Sequence, residues 1–185
     1  FRLNGHPKKY AKRLIFEISK KFHVHGVTHK RPVPHISLFG PFQTNDPKGI
    51  VNSVVKVCKK HDLIPYSISG FNHFDHARNK VIFLDIKPSR ELENLRWDIS
   101  KTLVPITKIR NDWDRQRNFT FHATIAFKDI DHKFKQIVSY LKTKEEPQIK
   151  QHLLRVSIIK NGLILYEYDF MQKRLLNRSD SKNKH

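Results

Sequence analysis

The chain has 185 residues, of which 38% are hydrophobic and 11% aromatic, enough to pack a core and too apolar for a disordered segment. Its 36 Lys and Arg against 17 Asp and Glu give a formal net charge of +19, a field that draws in polyanions, with nucleic acid the commonest of them. A single cysteine, Cys58, excludes an internal disulfide and a cysteine-based zinc site, and no apolar run reaches the length of a membrane span. A cytoplasmic, reducing compartment, a monomer and no membrane association are therefore expected. The sequence opens on Phe1 rather than Met, which points to residues missing at the front.

The first predicted element is a helix from Pro7 to about Phe22, with Tyr10, Leu14, Ile18 and Phe22 on one face and lysines largely off it. A short strand, His35–Phe39, is closed by Gly40-Pro41. A second helix starts at Asp46-Pro47 and runs to about Lys60, followed by strands over Leu63–Phe74 and Lys80–Lys87. Ser89 caps a third helix carrying Leu92, Leu95, Ile99 and Leu103. Next come a strand over Phe119–Phe127, a helix from Asp131, and strands His152–Lys160 and Leu163–Phe170 joined by Asn161-Gly162, a type I′ turn signal. After Gln172 the chain is polar and basic, with Lys173, Arg174, Arg178, Lys182 and Lys184, and is expected to fray.

Helix–strand–helix–strand–strand thus occurs twice, in pattern rather than identity, and 87 positions separate His35 from His122. The repeat predicts an α/β (α+β) domain over residues 1–171, with a basic tail over 172–185. Its two pseudo-symmetric lobes would each have a small, mostly antiparallel sheet and flanking helices.

The two strands opening each half read Pro34-His35-Ile36-Ser37-Leu38-Phe39 and Phe121-His122-Ala123-Thr124-Ile125-Ala126-Phe127. Residues two apart share a face, so His35 projects with Ser37 and His122 with Thr124, their apolar neighbours lying behind. If the lobes face each other, two imidazoles and two hydroxyls meet in one cleft. That set suits phosphodiester chemistry: one imidazole accepts a proton while the other donates one, and the hydroxyls bind non-bridging oxygens. No metal or other cofactor is needed. Chance alone gives about one His-x-Ser/Thr match in a chain of this composition. The matched placement of both on predicted strands is what carries the inference.

With these motifs the sequence resembles the 2H phosphoesterase superfamily and, within it, the LigT-like or 2′-5′ RNA ligase group. The resemblance implies a bilobal α/β fold that opens RNA 2′,3′-cyclic phosphates to 2′-phosphates. It also implies that His122 is the base, His35 the acid, and Ser37 and Thr124 the phosphate holders. Ser37 stands where Thr is usual in the group, and Ser also occurs in RNA-trimming relatives. The strand that usually precedes the first helix is short or absent. The implied partner is RNA or a nucleotide with a cyclic phosphate or 2′-5′ linkage, and ligation is the reverse chemistry. A basic RNA-binding module without turnover carries the same charge.

Phe39, Phe42 and Phe127 flank the motifs and could stack bases, although aromatic residues at strand ends more often belong to the core. Lys108, Arg110, Arg115 and Arg117 surround Trp113 just before the second motif, as a backbone-tracking segment or as a solvated loop. His23, His25 and His29, and His73 and His76, have spacings a metal could use but lack cysteine or carboxylate companions, which makes them surface histidines.

Overall fold

In the computed structural model, which describes residues 1–28, 33–76 and 79–180, the helices form largely where the apolar stripes predict them. Helix α1 spans Gly5–Phe22, two residues longer at its start than the Pro7 signal implied, and buries Leu14, Ile18 and Phe22, with Ala11 and Ile15 beside them. Tyr10 packs only partly buried against that core. Strand β1 is Phe42–Gln43. Helix α2 spans Pro47–Cys58, where the Asp46 carboxylate accepts the Gly49 N–H at 2.8 Å and Pro47 occupies the first turn. Strands β2, Ile64–His76, and β3, Asn79–Pro88, follow. Helix α3, Arg90–Leu103, is capped by Ser89, whose hydroxyl accepts the Leu92 N–H at 3.2 Å. Then come β4, Lys108–Ile109, and β5, His122–Phe127. Helix α4 is Phe134–Lys142, shorter than predicted. Strands β6, Gln148–Leu153, β7, Arg155–Lys160, β8, Leu163–Asp169, and β9, Arg174–Asn177, complete the order.

Two antiparallel sheets organise these strands: β5-β3-β2-β6 and β7-β8-β9, with a small β1-β4 ladder besides. Besides these helix ends, and β5 starting at His122 rather than Phe119, three predicted segments pair differently from expectation. The single strand expected over His152–Lys160 is two strands: β6 pairs with β2 as far as Leu153, and β7 begins its pairing with β8 at Arg155. Leu154 is where the chain leaves one sheet for the other, a step invisible in local pattern. The expected strand His35–Phe39 is extended but makes only a short ladder. Arg2 bridges His35, Leu3 N–H donates to the Pro34 carbonyl at 2.9 Å, and the pairing stops where α1 begins. This short pairing is the preceding strand that the sequence showed as short or absent. The basic tail does not fray at once, because β9 pairs with β8 from Arg174 to Asn177. Lys182 and Lys184 lie outside the described residues.

The sheets are not built half by half. Strand β5, from the second half, pairs with β3 of the first-half hairpin, whereas the His35 segment reaches β8 through Arg2. Each motif therefore sits beside the hairpin of the opposite half. Asn161 and Gly162 take φ of 50° and 77°, as a type I′ turn requires. Gly70, at φ 92°, lies where the β2–β3 register shifts between Ile68 and Phe71. The core lies between the four-stranded sheet and the helices: Ile68, Leu84, Ile86, Ala123 and Ile125 meet Leu14, Ile18, Leu95 and Ile137. No helix among the described residues is long and apolar enough to cross a membrane.

Candidate active site

Alternation along the two motif segments sorts side chains as the sequence implies. Pro34, Ile36 and Leu38 are buried while His35 and Ser37 are exposed. On β5, Ala123 and Ile125 are buried and His122 and Thr124 are half-buried. Burial of the apolar alternate residues anchors each segment, so the histidine and hydroxyl residues between them are held at the surface without needing their own packing.

Both histidines are held in the same way. The His35 Nδ1 lies 2.9 Å from the Val33 carbonyl, and the His122 Nδ1 lies 2.9 Å from the Thr120 carbonyl. A carbonyl only accepts, so Nδ1 carries the proton in each ring and Nε2 of the neutral imidazole keeps its lone pair for substrate. His122 lies near enough for its charge to act on His35. Burial lowers the pKa of His35 below its ordinary 6.5 against the raising effect of the Val33 bond, and the N-terminal ammonium and, last, the charge of His122 lower it further. His35 nonetheless stays open to solvent.

Neighbours of the pair were not legible in the sequence. His122 packs against Phe83, with ring centroids 5.1 Å apart, and edge-on to Phe74 at 5.3 Å. Across the strand pair His122 faces Asp85, whose carboxylate holds Lys87 at 2.9 Å. His35 faces Arg2, whose guanidinium makes a fork to Glu167 at 3.0 and 2.5 Å. Glu167 is fully buried and also accepts the Ser157 hydroxyl at 2.5 Å. The strand patterns read over Leu63–Phe74 and Lys80–Lys87 contain Phe74 and Phe83, but their closeness to His122 depends on register.

The remaining candidates divide. Phe39 and Phe42 pack partly buried against the core, 5.3 Å apart, whereas Phe127 is half-buried with Lys128 Nζ 5.0 Å over its ring. Lys108, Arg110, Trp113, Arg115 and Arg117 are all exposed, Trp113 at 51%. Their segment is nevertheless a built loop. Lys108 and Ile109 pair with Gln43 and Phe42, just after the first motif. Asp114 is fully buried, accepts the Gly40 N–H at 3.1 Å, and lies 3.7 Å from the equally buried Arg96. Arg96 in turn donates to the Trp113 carbonyl at 2.6 Å. Asp114, which in sequence only diluted the positive charge, is thus the peg tying the loop before His122 to the turn after Ser37. Desolvation raises its pKa, against the Gly40 bond and the Arg96 charge.

Among the described residues no three His, Cys, Asp or Glu side chains converge as a metal ion would require. His23 and His25 are exposed, and His29 lies outside the described residues. His73 packs edge-on to Phe134, and His76 lies stacked on Phe74 at 6.1 Å.

A family model described as the 2′-5′ RNA ligase superfamily matches residues 9–163, a span that contains both histidine motifs. No curated protein gives a significant match.

Proposed function

The chain belongs to the 2′-5′ RNA ligase superfamily, and within it we propose a metal-independent RNA phosphodiesterase that opens 2′,3′-cyclic phosphate ends to 2′-phosphates. The observation carrying this reading is the pair His35 and His122, each tethered through Nδ1 to a carbonyl two residues back, with the charge of His122 acting on His35. In the reaction, one Nε2 takes a proton from water as its oxygen bonds to phosphorus. The bond from phosphorus to O3′ breaks, and the other imidazole protonates that oxygen. Ser37 and Thr124 would donate to the non-bridging oxygens as charge moves onto them. Run in the same direction with a 5′-hydroxyl terminus in place of water, the same steps join RNA ends through a 2′-5′ linkage and leave a free 3′-hydroxyl.

The resemblance and the electrostatics differ on which histidine is the base. The resemblance makes it His122. The lowered pKa of His35 instead keeps that ring neutral near neutral pH, in the form that accepts a proton. A substrate with an activated leaving group separates the two assignments, because it rescues the variant lacking the acid. Rescue of His122→Ala rather than His35→Ala makes His35 the base.

The function is tested by incubating a short RNA ending in a 2′,3′-cyclic phosphate with and without EDTA and identifying the product. Turnover that survives EDTA and leaves a 2′-phosphate is expected. Retained RNA binding with no turnover of cyclic, 2′-5′-linked or 3′-terminal RNA makes the protein a binding module instead.

A further inference from the structure

The sheet face that bears His122 continues across β3, β2 and β6. The core side chains of these strands turn to the other face, where α1 packs on β5 and α3 on β2 and β3. Register orders the His122 face into rows. Next to the row of His122 and Asp85 lies a row in which Lys87 faces Ser67 and Ser67 faces Lys150. Thr120, two residues before His122 and exposed, extends it on the β5 side. The row contains hydrogen-bond donors and no carboxylate. Lys150 is exposed and has no acidic partner among the described residues, and the Lys87 side chain is 63% exposed. Asp85, in the neighbouring row, draws the Lys87 ammonium toward His122 and offsets part of its charge. Beyond His122 on the opposite side the face is aromatic, with Phe83 and Phe74.

We propose that Lys87, Ser67 and Lys150 form a track for the backbone phosphates of single-stranded RNA next to the end held at His122. The placement of that end rests on the phosphodiesterase reading. From β5, which bears His122, to Lys150 on β6 is three strand spacings, about 14 Å, so the outer lysine meets only a substrate longer than the terminal nucleotide. Ammonium groups bind phosphates without reading bases, and the Ser67 hydroxyl adds a donor between them. The track therefore favours chain length over sequence.

The test measures binding of a pentauridylate with a plain 3′-hydroxyl across a salt series, which needs no turnover. Each phosphate neutralised on a single strand contributes a slope of roughly 0.7 in log affinity against log salt. Lys87→Gln/Lys150→Gln should flatten the slope by about 1.4, and the double Arg variant should keep it. The control Lys20→Gln/Lys56→Gln removes the same charge from exposed positions on α1 and α2 and should change the slope far less. An unchanged slope in a Gln variant with wild-type melting temperature overturns the track, as does equal flattening in the control. If cyclic ends are not hydrolysed but the slope falls as stated, the track stands and the phosphodiesterase reading fails. If they are hydrolysed and the slope is unmoved, the track alone fails.

Discussion

Each catalytic candidate is an imidazole whose Nδ1 is already spent on a backbone carbonyl, so chemistry is left to Nε2. Replacing His35 or His122 by Ala should lower turnover of cyclic-phosphate RNA by about 10²–10⁴-fold with little change in melting temperature, because both rings sit outside the core. A folded variant at wild-type rate would sink the two-histidine mechanism. Ser37→Ala and Thr124→Val should each cost less than loss of a histidine. Their combined effect need not be additive, since both hydroxyls would address one phosphate. Two wild-type-like single variants would reduce them to strand residues. The His35 pKa has a checkable sign: its ring should titrate below 6.5 by NMR and move upward in His122→Ala, where the repelling charge is gone. Because the folded state disfavours the protonated ring, the stability contributed by His35 is present above 6.5 and is lost as pH falls through the lowered value.

Between the motifs, the elements are joined by one buried ion pair. Arg96 of α3 supports the loop at Trp113 and Asp114, and Asp114 supports the backbone of Gly40. Arg96→Leu leaves a buried carboxylate without its cation and should cost about 3–5 kcal/mol in urea denaturation. It should also depress turnover, because the turn after Ser37 and the loop before His122 lose their common peg. A loss under 1 kcal/mol would show the pair to be dispensable. The same loop displays four exposed basic residues and Trp113. Replacing Lys108, Arg110, Arg115 and Arg117 by Gln should raise KM for an oligonucleotide more than it lowers kcat, and flatten the salt dependence. An effect confined to kcat would instead place the segment within the catalytic framework.

For the whole molecule, a net charge of +19 predicts two opposite responses to salt. Screening relieves self-repulsion, so the melting temperature should rise from low to physiological ionic strength. RNA affinity should fall over the same range as counterion release loses its advantage. A melting temperature that falls with added salt would mean that attractive ion pairs such as Arg2–Glu167 and Arg155–Asp169 outweigh the repulsion.

The sequence by itself determined what depends on near neighbours along the chain. Helical stripes, the Asp46 and Ser89 caps, the Asn161-Gly162 turn, and the shared faces of His35 with Ser37 and of His122 with Thr124 all follow from side-chain periodicities and turn chemistry within a few residues. Register and sheet membership are pairings between distant segments, and only the tertiary structure decided them. The break at Leu154 between two sheets, the seating of each motif beside the other half's hairpin, and the row from Lys87 to Lys150 have no local pattern. Asp114 shows the difference in one residue. In sequence it is an acid among basic neighbours, and in the fold it is buried under Arg96 with the Gly40 amide, because α3 and the turn after the first motif close over it.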